Sequence, residues 1–186
     1  MDERQTTEIT TMKPKAATTL VLTWILLSTG GCPPANRPSS NKPLLPPDIA
    51  GTWKARETTW KIALAPNGTV SSAVIDMGGV EVHPNKTSKV EMKDGSISTY
   101  KAGNCIVEYT AATRELFVSV EMESIHVVFM DQFIDGNSTD RFLGTVSEDG
   151  KQWTAEWIKV FDYGPRFPQD ANDIYAEPLV FDKIEN

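Results

Sequence analysis

Few side chains in this sequence are spaced for chemistry, and those that are argue against an enzyme. His83 and His126 are the only histidines. They lie far apart, with no HExxH, no paired-cysteine ligand spacing and no calcium-loop pattern around them. A zinc site from both histidines and a carboxylate is the one metal alternative, and no metal or cofactor is expected. His83 precedes Pro84 and reads as an exposed turn residue, whereas His126 shares a strand face with Val128 and Met130 and reads as a hydrogen-bonded core histidine. Glu121 and Glu123 would point the same way on a strand about 7 Å apart, a separation that two glycosidase carboxylates can span. Glu-x-Glu is also the pattern of a solubilising strand face, which is the reading adopted. No GxSxG elbow, phosphate-binding glycine loop or dinucleotide fingerprint occurs, and Gly78-Gly79 reads as a turn. No catalytic residue is assigned. Cys105 alternates with Val107 and Tyr109, the pattern of a buried structural thiol.

The other cysteine, Cys32, has a different context. Lys13 and Lys15 precede an apolar run from Ala16 to Leu27, followed by the small residues Ser28-Thr29-Gly30-Gly31. The run of about 12 residues fits a signal-peptide core of roughly 7 to 15 and falls short of the ~20 needed to span a bilayer. The segment resembles the bacterial lipoprotein signal, in which a small-residue box precedes a cysteine that becomes the lipidated N-terminus. Leu27 lies further from Cys32 than the family's leucine, whose place Thr29 holds. An ordinary secretory signal with an incidental cysteine is the alternative. The resemblance implies several acyl chains on Cys32 and durable anchoring, since one chain alone binds membranes only marginally. Pro33 stands where the family's inner-membrane retention signal has Asp. That implies the outer membrane, facing the periplasm, in a two-membrane envelope. Polar residues 1–11 precede the signal, and Met12 is an alternative initiator.

Residues 1–31 are thus read as signal peptide, 32–48 as a tether and 49–186 as one folded domain. The tether, PPANRPSSNKPLLPPD after Cys32, disfavours both helix and core. At about 3 Å per residue it can hold the domain several tens of ångströms from a membrane. The net charge is −7, and because residues 1–31 hold equal numbers of basic and acidic residues, the mature chain keeps it. An acidic surface argues against nonspecific binding to nucleic acid or to anionic headgroups. With Cys32 lipidated, Cys105 has no disulfide partner.

Within the domain, short period-two runs are separated by Asn-Gly and Asp-Gly signals, so the expected class is all-β: roughly eight to ten antiparallel strands in a small barrel, with a sandwich as the alternative. Trp60, Ile62 and Leu64 share a face before the Asn67-Gly68 turn. Leu116, Val118, Val120 and Met122 form a half-buried strand, and Ile125 to Ile134, apolar on both faces, is expected to be covered on both. Asp94-Gly95 and Asp149-Gly150 mark further hairpins. Gln169 to Ala176 reads as a short helix or an excursion before a last strand at Leu179-Val180-Phe181. The opening Gly51-Thr52-Trp53, followed by Trp60 to Leu64 and the Asn67-Gly68 turn, resembles the first hairpin of lipocalin-like proteins, whose first strand carries G-x-W. That resemblance implies that Gly51 and Trp53 form a structural plug at the closed end of a barrel. The family's later segments have no clear counterpart, Arg166 included. The same opening occurs in small periplasmic barrel protease inhibitors, which usually carry a disulfide.

Trp153, Ala155, Trp157 and Phe161 fall on one strand face, with the two tryptophans about 13 Å apart. If that face points into a barrel, the small Ala155 leaves room between two apolar walls for a hydrophobic ligand. If it points outward, the row can stack on sugars or a partner. Simple core filling is the third reading. The expected function is a membrane-tethered, non-enzymatic binding lipoprotein holding a small hydrophobic ligand in a lipocalin-like barrel. The alternative is a structural or interaction lipoprotein of the cell envelope, binding proteins or glycans, protease-inhibitor-like barrels included. A calyx-hosted hydrolase or isomerase is the remaining option.

Overall fold

The computed structural model of the chain describes residues 45–91, 95–129, 132–164 and 175–184. The segment read as a signal peptide, Cys32, the stretch read as a tether as far as residue 44, Arg166 and most of the stretch read as a possible helix lie outside the described residues.

Ten strands follow in chain order: β1 (Gly51–Ala55), β2 (Lys61–Ala65), β3 (Thr69–Val74), β4 (Glu81–Val82), β5 (Thr87–Glu91), β6 (Ile97–Thr110), β7 (Glu115–Phe129), β8 (Gln132–Val146), β9 (Gln152–Asp162) and β10 (Tyr175–Ile184). Every pairing is antiparallel, in the order β4-β3-β2-β1-β10-β9-β8-β7-β6-β5. The last strand therefore lies between β9 and β1, joining the two halves of the sheet. The two outer edges approach one another. Ser88 Oγ donates to the Glu81 carbonyl at 2.8 Å, Ala102 N–H to the Lys86 carbonyl at 2.9 Å and Asn85 N–H to the Gly103 carbonyl at 3.2 Å. The result is a nearly closed ten-strand barrel, all-β as the alternation and turn signals require.

The turns follow local backbone chemistry. Gly68 and Gly150 have φ of 73° and 69°, left-handed values that glycine adopts without the Cβ penalty of other residues. Inward positions on β7 are Leu116, Val118, Val120 and Met122, all buried. The stretch from Ile125 to Ile134 departs from the expectation of a strand covered on both faces. It contains the β7–β8 turn, Phe133 is 42% exposed, and the pairing Val128↔Phe133 continues past Asn137↔Asp162, where β9 stops. It is the end of a hairpin that projects beyond its β9 neighbour. Continuous apolar sequence reads as buried strand only where both neighbours persist. His126, expected in the core, has a 42% exposed side chain and sits 2.5 Å from Asp135 on the facing strand. The side chain leaves the core because the hairpin does.

Candidate functional site

The inward row of β9 points into the barrel. Trp153, Ala155 and Trp157 are all buried there. The gap that the sequence leaves over Ala155 is occupied by the Phe142 ring of β8, which meets Trp153 edge-on at 6.1 Å and stacks on Trp157 at 6.3 Å between centroids. Trp60 closes on Phe142 at 4.9 Å and on Trp157 at 6.0 Å. Phe181 stacks on Trp153 at 4.7 Å, and Trp53 meets Trp153 at 6.2 Å. All four tryptophans of the domain thus join one aromatic core. Such edge-on and offset pairs contribute about 0.5–1.5 kcal/mol each beyond their area.

Trp53 is fully buried on β1, and its indole N–H donates to the Ile49 carbonyl at 2.9 Å. Lys183 of β10 lies over its ring, 5.8 Å from the centroid, and donates to the Pro47 carbonyl at 2.9 Å. Gly51 has φ of 133°, and a Cβ there would stand 2.9 Å from Lys183 Cε. Asp48 takes a 2.8 Å ion pair from Arg114. Residues 45–50 are therefore strapped across the barrel end that carries the β2–β3, β6–β7 and β8–β9 turns.

Sequence reading missed the polar group at the edge of this core. Asp140, on the inward face of β8, is 2% exposed. It accepts the Trp157 indole N–H at 2.8 Å and a Ser138 hydroxyl bond. Burial pushes its carboxyl up to about 6, against the opposing pull of Lys159, its register partner, and of the Trp157 bond. The phenol of Tyr163 is held protonated well above its usual range, by burial first and then by the Asp140 charge, and its hydroxyl has no hydrogen-bond partner among the described residues. Nothing in the local sequence Ser138-Thr139-Asp140-Arg141 separates Asp140 from an exposed strand aspartate. Its partner Trp157 lies on the next strand.

A proton on Asp140 stabilises the fold, because the native state holds it up to about pH 6 while the unfolded chain releases it near 3.8. Stability should be greatest at the acid end of that window and fall as pH rises through 6. The difference between the two states corresponds to about 3 kcal/mol. Asp140→Asn keeps an acceptor for Trp157 and should flatten the urea-unfolding profile between pH 4 and 7, raising stability at neutral pH. An unchanged slope would show that Asp140 ionises freely in the native protein.

A second feature lies in the barrel wall. β4 has two residues, and the bonded register along the β5 side of β6 ends at Gly103. Among the described residues no strand pairs on that side from Asn104 to Thr110, about 23 Å of strand at 3.3 Å per residue. The notch forms a cleft of about 520 Å³ lined by Leu45, Pro46, Gly68, Cys105, Val107 and Tyr109, among others. The cleft runs along the edge of β6, with Ile106 and Glu108 of its outward face also in the lining; Cys105 and Tyr109 pack against the buried core, and Leu45, 8% exposed, has its N–H bonded to the Pro66 carbonyl at 2.8 Å. Burial raises the Cys105 thiol above its ordinary range.

The residues considered for catalysis do not converge. Glu121 accepts the Asn104 N–H at 3.1 Å, Glu123 pairs with Lys101 at 2.8 Å, and exposed His83 contacts the Ser71 carbonyl at 3.1 Å. No cluster of three or more metal-ligating side chains exists among the described residues. No family model, curated protein or solved structure matches the chain.

Proposed function

We propose that this chain is a membrane-tethered, non-enzymatic binding protein of the cell envelope, whose barrel holds a small apolar molecule. The observation that carries the reading is the cleft of about 520 Å³ where the barrel wall is interrupted. That volume lies within the roughly 300–1,000 Å³ of small-molecule sites. The aromatic core stiffens the opposite wall, and the ligand sits at the notch between strand edges. The lipocalin-like reading draws support from Trp53, which lies on the first strand after Gly51, buried at the strapped end beneath Lys183. The extra strands relative to an eight-strand lipocalin include the short β4 and β5, whose brevity leaves the notch.

Native mass spectrometry of the full chain purified without detergent, with organic extraction, tests the binding. A stoichiometric apolar ligand is expected, and its absence combined with unaltered Cys105 reactivity across a panel of fatty acids and sterols would remove the reading. The tether has its own test. Cys32→Ser should move the protein from the membrane to the soluble envelope fraction, while continued membrane association would defeat the lipid-anchor assignment.

The projecting β7–β8 hairpin favours a second reading, docking to an envelope partner. Val127, Val128 and Ile134 are only half-buried there and Phe133 is exposed. The hairpin lies at the end of the barrel opposite residues 45–50.

A further inference from the structure

We infer that the seam cleft selects, among apolar ligands, one whose hydrocarbon body carries a protonated amino group, a long-chain amine. The inference rests on the apolar-ligand reading of this cleft and adds the charge of the head. Leu45, Val107 and Ala111 give the lining its apolar surface. Of the ten residues in that lining, Glu108 alone carries a formal charge at neutral pH, and none is Lys, Arg or His.

Glu108 is exposed on the outward face of β6 and makes neither an ion pair nor a hydrogen bond among the described residues. The cations around it are committed elsewhere. Arg114, in the β6–β7 turn, is held by Asp48 at 2.8 Å and by the Val146 carbonyl at 3.1 Å, and Lys101 pairs with Glu123 at 2.8 Å. Carboxylates bound the open edge at both ends, because Glu121 accepts the Asn104 N–H at 3.1 Å and Glu115 is the register partner of Thr110. Hydrogen bonding points the same way. An ammonium group has three donors and no acceptor, and the stretch from Asn104 to Thr110 leaves main-chain carbonyls without a strand partner on its open side. Carbonyl and carboxylate oxygens together can therefore surround such a head. A carboxylate head finds N–H donors on the same edge but brings a second negative charge beside Glu108. An exposed charge pair changes affinity by up to about fivefold, and the two heads differ by the attraction of one plus the repulsion of the other.

The test compares decylamine, decanol and decanoate, three heads on one tail, by the concentration of each that halves the rate of Cys105 alkylation by neutral iodoacetamide. Cys105 lines the cleft, and peptide mass reads its labelling separately in the full chain. At neutral pH and low salt, decylamine is expected to act at about tenfold lower concentration than decanoate, with decanol between them. Glu108→Gln should bring the three to within about twofold. Glu156→Gln removes the same charge from an exposed position on β9 outside the lining, and should leave the preference intact. Equal potency of the three probes on the wild-type chain, or a lead for decanoate, would overturn the inference and leave the apolar-ligand reading in place. A preference that persists in Glu108→Gln would also overturn it, assigning the selection to the net charge of the chain. Protection by none of the three would defeat the inference together with the reading on which it rests.

Discussion

Replacing Gly144 with alanine is expected to cost more than about 4 kcal/mol, placing it among the exceptional single substitutions that break a specific feature. A Cβ at this inward position of β8 would stand 1.9 Å from the Thr154 carbonyl oxygen and 2.5 Å from Ala155 Cα. Both atoms are backbone of β9. No rotamer relieves the overlap, so the strands must separate where Gly144 pairs with Ala155. Gly79→Ala is the contrast. Its φ is 62° but nothing lies within 4 Å of the new Cβ, and the expected loss is the left-handed backbone penalty of about 1–2 kcal/mol. Urea denaturation of both variants measures the difference. A Gly144→Ala protein within 1 kcal/mol of wild type would show that β8 and β9 do not approach this closely.

Trp153→Ala should lower stability by about 3–5 kcal/mol, the range for emptying a large aromatic site in a core. Trp153 is fully buried and touches Trp53, Phe142 and Phe181, rings fixed by three other strands. Against a typical total of about 5–15 kcal/mol, this is a large fraction. Trp153→Phe should cost much less. It keeps a ring and removes the Trp153 indole N–H, which is buried without a hydrogen-bond partner among the described residues and carries a penalty of about 1–3 kcal/mol. Equal losses in both variants would mean that indole shape, not ring burial, governs the site. The pair also separates core from ligand site, because binding at the seam should survive Trp153→Phe.

The barrel was legible where turn chemistry and alternation agree. Asn67-Gly68 and Asp149-Gly150 state their turns outright, and Leu116 to Met122 states its inward face. The β7–β8 turn was not legible. Around Met130-Asp131 no glycine or asparagine interrupts the apolar run, so hydrophobicity alone suggested one covered strand. The direction of Trp153 and Trp157 became definite only with register, which brings Phe142 opposite Trp157. Asp140 was invisible because burial of a carboxylate is decided by neighbouring strands. The cleft is harder still to foresee. It arises from where β4 and β5 stop, and strand length depends on partners more than on intrinsic preference.

The position of β10 has a kinetic consequence. Thr52 near the start of the domain pairs with Ile184 near its end, so the ring of backbone bonds cannot be completed before the final strand has been synthesised. Contacts of such sequence separation form slowly, because the chain must lose the entropy of a long loop before the pairing rewards it. Until then β1 and β9 each lack a neighbour. Moving β10 ahead of β1 would not remove the delay, because the late closure would pass to the β9–β10 pair at an equally long separation.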